Sequence, residues 1–401
     1  MTTRTVRNGL IGAAVSAALA TAAFAAPAQA QTGGEHGHAA TQKAMDAQVA
    51  AGVPGVLGQV QDRHGTWNGS SGEADTRTGR PRLAHDRFRV GSITKSFVST
   101  VVLQLEAEGK LDLDDSVDHW LPGLVHGNGH DGAKIKIRQL LNHTSGIFNY
   151  TADPEFIEKA FGPGFLKHRY DTWTPEQMVA LAMRHKPDFD PGKSYNYSNT
   201  NYILAGMIVE KATGHSYADE IERRIIEPLD LDGTSVPGDE TELPSPHGRA
   251  YSTLGEASPG AKIYDVTELN PTLAGSAGAV VSTTGDLNRF YRALLRGELL
   301  PKQQQRELLT TVPAGGPDTR YGLGVFSSKL SCGVTVWGHD GGIHGSLSKA
   351  VNTLDGRHAF AFNYNADYAG DPNALVEAEY CGKAPAKGAG TPLTKGLTAQ
   401  R

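Results

Sequence analysis

Apolar positions along the chain change their period twice. Val56-Leu57-Gly58-Gln59-Val60 and the stretch from Thr66 onward flank Asp62-Arg63-His64-Gly65, which predicts a hairpin with a glycine-containing turn. Residues 40–51 have helical spacing. Phe97, Val98, Val101, Val102 and Leu105 share one helical face. Thr174-Pro175-Glu176-Gln177 spells a capping box with proline in the first turn. Ile203, Leu204, Met207 and Ile208 form another apolar face, closed by Gly214. Val334–Trp337, Ser348–Val351 and His358–Phe362 read as strands, the last two flanking Asp355-Gly356. The pattern predicts an α+β protein: an antiparallel sheet drawn from residues 31–90 and 276–381, interrupted by a mainly helical insertion over residues 91–275. Residues 382–401 carry no core-forming pattern and read as a flexible tail.

The first thirty residues change the picture. Arg4 and Arg7 precede an alanine-rich apolar stretch ending in Ala28-Gln29-Ala30, the layout of a secretory signal peptide cleaved after Ala30. The expected mature protein is secreted, without a membrane anchor. In such a protein the two cysteines, Cys332 and Cys381, read as one disulfide rather than two buried thiols. With 38 Lys plus Arg against 43 Asp plus Glu, and no basic cluster interleaved with aromatics, nucleic acid is not an expected partner. His36 and His38, in the polar lead-in 31–40, lack companions at ligand spacing and are expected to be solvent-exposed. The His126–Asp131 cluster has the glycine spacing of a surface loop, so no metal site is assigned.

Candidate chemistry begins at Ser92-Ile93-Thr94-Lys95, where an extended segment enters the first long helix. Residues three apart share a helical face, so the Lys95 amine can reach the Ser92 hydroxyl and, if buried and neutral, take its proton. Ser346-Leu347-Ser348-Lys349 has the same spacing but lies in a strand-like stretch, where such residues point to opposite faces. Tyr197-Ser198-Asn199 opens the second long helix: Tyr197 can shuttle a proton, and Asn199 can hold Lys95 and a substrate amide. Trp337-Gly338-His339-Asp340-Gly341-Gly342 closes a strand, with His339 as a further proton-transfer group and glycines that admit a substrate backbone.

These motifs in this order resemble the penicillin-recognising serine hydrolases, with the nearest likeness to secreted D-alanyl-D-alanine carboxypeptidases of filamentous actinomycetes. Leu140–Gly146 (LLNHTSG), Gly192–Gly206, Gly275–Val280 and Tyr321–Gly324 share the likeness, which runs from about Val53 to Cys381. The resemblance implies an α/β domain with an antiparallel sheet beside an all-α domain. It also implies a cofactor-free acyl-enzyme mechanism: Ser92 is the nucleophile, Lys95 and Tyr197 exchange protons, Asn199 orients them, and His339 stands where relatives carry lysine. The Ser92 and Gly342 amides would form the oxyanion hole, and the protein would act as a monomer on cell-wall peptides or β-lactams. β-Lactamase, esterase, D-amino-acid amidase and β-lactam sensor remain open on the same scaffold. The chain departs from its relatives where carboxypeptidases often read His-Thr-Gly-Thr. Here Asp340 and Gly342 replace hydroxyl donors for a substrate carboxylate, Phe326 stands where an arginine can sit, and Lys329 is the alternative cation.

Overall fold

The computed structural model describes residues 37–258 and 260–382. The signal-peptide reading, His36 and the tail beyond Gly382 lie outside them. Nine strands form one antiparallel sheet: β1 (Gly55–Asp62), β2 (Gly65–Asp75), β3 (Arg80–Pro81), β4 (Val312–Gly316), β5 (Thr319–Tyr321), β6 (Phe326–Lys329), β7 (Thr335–Ile343), β8 (Ser346–Thr353) and β9 (Ala359–Tyr364). Their order is β4-β5-β6-β7-β8-β9-β1-β2-β3. Early and late segments of the sequence meet where β9 pairs with β1, Phe360 opposite Val60. The expected hairpin is present, Asp62 facing Gly65 across the turn.

Alternation along the strands sorts their side chains to two layers. Val56 and Val60 of β1, with Phe360, Phe362 and Tyr364 of β9, pack under α1 (Ala39–Ala50) and α6 (Pro372–Cys381). Leu57, Ala350 and Ala361 face the other way, into the large core holding α2 (Thr94–Ala107), α4 (Asn199–Thr213) and α5 (Thr284–Leu295). Phe97 of α2 stacks on Phe290 of α5 at 3.8 Å between ring centroids. The capping box forms as read and opens α3 (Pro175–Met183): the Thr174 hydroxyl accepts from the Gln177 amide at 3.2 Å, and Gln177 Oε1 accepts from Thr174 N–H at 2.9 Å. Gly214 ends α4 in the left-handed conformation, φ +76°. No helix among the described residues is long and apolar enough to cross a membrane.

Three expectations change. α2 reads as amphipathic, yet Ser96, Ser99, Thr100 and Leu103 are buried along with its apolar stripe. Its hydroxyls are matched internally, Ser96 donating to Gly324 O at 2.6 Å and Ser99 meeting Tyr202 Oη at 2.9 Å, so the helix can be covered on all sides. β7 runs on through Ile343 instead of ending before His339, because Gly341 and Gly342 keep their pairing with Ser348 and Leu347. His38 is not exposed: its Nδ1 lies 3.1 Å from Glu379 Oε1 and its ring stacks on Trp67. Glu379 on α6 also accepts from Thr41 and meets His358, a cluster that no local pattern announces.

Cys332 and Cys381 form the disulfide, tying the β6–β7 connection to the end of α6 across a sequence separation of 49. A closed loop of this length contributes about 4 kcal/mol by the chain-entropy estimate. Reduction and alkylation should therefore lower the melting temperature measurably. An unchanged melting curve would show that the cross-link restrains nothing.

Candidate active site

Ser92 lies in a single 3₁₀ turn, Gly91–Ile93, that runs directly into α2. Two glycines let this turn touch β7. Gly91 has φ +56°, and a Cβ on it would sit 2.7 Å from Gly342 N; a Cβ on Gly341 would sit 1.9 Å from Val90 O and 2.9 Å from Ser92 N. Backbone against backbone is thus the contact that seats the serine. From His339 onward β7 pairs with β8 but no longer with β6, whose pairing ends at Phe326 opposite Gly338. Ser92, Gly342 and Asn199 all line one cleft beside that free edge, which also holds Tyr150, Phe161, Leu254, Leu273, Ile343, Asp367 and Tyr368.

Lys95 is fully buried. Its Nζ lies 2.9 Å from Ser92 Oγ, 2.7 Å from Asn199 Oδ1 and 2.8 Å from the Ala277 carbonyl. Burial holds its pKa well below the usual lysine value, against a weaker upward pull from Asp340. A neutral amine has two N–H groups and one lone pair. The two carbonyl oxygens can only accept, so they take the N–H groups and leave the lone pair for the Ser92 hydroxyl proton. That is the arrangement of a general base. Tyr197 is buried with Lys95 Nζ 4.9 Å from its ring centroid. Burial drives its pKa well above 10, while Ser92 nearby pulls it down. Its hydroxyl meets no partner in ordinary hydrogen-bond geometry among the described residues. Tyr197 therefore stays protonated and is available as a proton donor on the Ser92 side.

A pH dependence follows from these directions. Acylation needs neutral Lys95, so its rate should fall as pH drops through the depressed Lys95 pKa, while Tyr197 remains protonated above that limb. Pre-steady-state acylation measured against pH checks this. A rate that rises with acidity would exclude Lys95 as the base.

The other predicted residues separate. Asn199 follows the N-cap, which is Ser198, and spans the site: Oδ1 accepts from Lys95 and Nδ2 donates to Thr151 Oγ1 at 3.3 Å. His339 is buried, but its ring is committed elsewhere. Nδ1 donates to the Asp340 carbonyl, so in the neutral ring Nε2 accepts from the Tyr321 hydroxyl at 2.9 Å. Burial lowers its pKa to about 4. Both ring nitrogens are therefore engaged by protein groups. Gly341 seats the serine turn, and Gly342 lines the cleft. Asp340 is not among the cleft-lining residues; half-exposed, it influences the site through its charge on Lys95 and Tyr197. Phe326 packs against His339 and Tyr321, and Lys329 is exposed at the far end of β6.

Sequence reasoning missed His143. Held at φ +59°, its ring lies tilted against Tyr197 with 4.1 Å between centroids, and its Nδ1 accepts from the Ser198 amide and the Asn201 side chain. Burial first, and Lys95 second, keep it neutral. Its signal was its place in the Leu140–Gly146 stretch, which no reading of local chemistry had tied to the site.

This architecture has relatives. The profile of the Beta-lactamase family matches residues 39–377. The chain belongs to the Beta-lactamase family. It is a serine hydrolase of the β-lactamase/transpeptidase-like fold. It is similar to Penicillin-binding protein 4* of Bacillus subtilis, 29% identical over 74% of this chain and 65% of that protein. Penicillin-binding protein 4 of Amycolatopsis lactamdurans is 28% identical over 70% of this chain and 72% of its own length. The chain thus spans just under two thirds of the Bacillus relative. Among solved structures, a D-stereospecific amidohydrolase from Streptomyces sp. is 57% identical with a TM-score of 0.83, covering 86% of this chain and 99% of that one. D-amino acid amidase from Ochrobactrum anthropi SV3, complexed with D-phenylalanine, is 29% identical with a TM-score of 0.71, covering 82% of this chain and 91% of that one.

Proposed function

We propose that the protein is an exported serine amidohydrolase that forms an acyl-enzyme on Ser92 from amides of D-configured amino acids or peptides. The observation that carries this reading over the carboxypeptidase is the charge of the cleft: no lysine or arginine among the described residues lines it, and its one carboxylate is Asp367. A substrate with a free terminal carboxylate would meet no lysine or arginine there, His344 being the cleft's one imidazole, whereas an amide needs no counter-ion. The 57% identity to a D-stereospecific amidohydrolase supports the same choice, and supplies the stereochemical half of it.

In this reading Ser92 Oγ attacks the amide carbonyl as its proton passes to Lys95 Nζ. The Ser92 and Gly342 amides hold the oxyanion. Tyr197 donates a proton to the departing nitrogen and is reprotonated through Lys95, leaving the acyl group on Ser92. Water then attacks the ester with Lys95 again as base, releasing the acid. Specificity constants for D-phenylalanine amide, L-phenylalanine amide and an N-acyl-D-Ala-D-Ala acid test the proposal. The D-amide is expected to exceed its enantiomer at least a hundredfold and to exceed the acid. A preference of tens-fold for the acid would restore the carboxypeptidase.

A further inference from the structure

We propose that Asp367 binds an alkylammonium group of the substrate, an inference that rests on the amidohydrolase reading and names the chemistry its substrate must carry. Asp367 follows β9 and lines the same cleft as Ser92. Its Oδ2 accepts from the Gly345 amide at 3.0 Å. Gly345 lies in the β7–β8 turn, three residues past Gly342, so the hairpin that offers an amide to the reacting carbonyl also fixes the carboxylate. The turn itself is held hard against Tyr251, since a Cβ on Gly345 would lie 2.6 Å from Tyr251 N.

Among the described residues, no lysine or arginine pairs with the carboxylate. Burial raises its pKa to about 6, opposed only by hydrogen bonds from Gly345 N–H, the Ser252 hydroxyl and its own backbone amide. A half-buried acid that is hydrogen-bonded by neutral groups gains most from a cation that arrives with the ligand. Beside it, the Tyr368 hydroxyl is buried and has no hydrogen-bond partner among the described residues. The rest of the cleft is divided: Ser252 and Thr253 are polar, while Leu254, Leu273, Ala274 and Ile343 offer an apolar wall. An amino acid amide with a free amine and an apolar side chain has the same division. The cation could equally be the side-chain ammonium of a basic residue, and the two sources are separable.

Non-hydrolysable alcohols serve as probes by calorimetric titration at pH 8: D-phenylalaninol for an α-ammonium, N-acetyl-D-lysinol for a side-chain ammonium, and N-acetyl-D-phenylalaninol as neutral reference. One ammonium probe is expected to bind at least tenfold more tightly than the reference, and Asp367→Asn to abolish that preference. Asparagine keeps an oxygen to accept from Gly345, so the variant removes charge and spares the turn. Wild-type protein that binds neither ammonium probe more tightly than the reference overturns the proposal, as does a preference that survives Asp367→Asn. Turnover of D-amides is a separate measurement, so an enzyme that cleaves them without an ammonium preference refutes this inference alone.

Discussion

A Ser92→Ala variant is expected to form no acyl-enzyme and to lose turnover by a factor on the order of 10⁴ or more, as removal of a hydrolase nucleophile does. Lys95→Ala should cost on the order of 10²–10⁴, the range of a positioned general base. Lys95→Arg should do no better, since a guanidinium cannot be neutral at working pH. The internal control is the second Ser-x-x-Lys copy. Ser346 Oγ donates to the Arg89 carbonyl at 2.7 Å and accepts from Asn363, while Lys349 reaches Asn373. Ser346→Ala should therefore cost stability, about 1–3 kcal/mol for the polar groups it orphans, and leave acylation in place. Intact-mass detection of the trapped acyl-enzyme reads both variants. Acylation that persists in Ser92→Ala and vanishes in Ser346→Ala would reverse the assignment.

Gly341→Ala is the second large effect, and it comes from a residue with no chemistry of its own. The new methyl would lie 1.9 Å from Val90 O, so the serine turn and β7 must part. A displacement of about 1 Å at a reacting centre costs roughly a hundredfold, and the overpacking should cost about 1–3 kcal/mol. Specificity constants together with thermal melting check this. Wild-type kinetics in the alanine variant would mean that the close approach of Gly341 to Val90 and Ser92 is dispensable.

The parts of the site written in local sequence were readable. Ser92 and Lys95 meet because one helical turn brings them together, and Asn199 was placed by the helix it opens. What escaped reading depends on contacts between distant segments. The Ala277 carbonyl that takes one Lys95 N–H is backbone and carries no residue signature. His143 against Tyr197, and His38 against Glu379, are fixed by packing across the fold. His339 and Asp340 show the converse. Their motif was visible, but the direction each side chain takes follows from Tyr321 on β5 and from strand alternation, which the motif does not encode.

The β1–β9 seam has a consequence for how the protein is made. β1 leaves the ribosome well before the neighbour on its far side, residues 359–364, has been made. The β1–β2 hairpin can form as soon as it leaves the ribosome, but its outer row of amides and carbonyls stays unsatisfied until β9 arrives. Closing so long a loop adds an entropic cost that local pairing does not meet, which makes the final step slow. Chains stopped short of Ala359 would keep that edge open, an adhesive template for other unfinished copies.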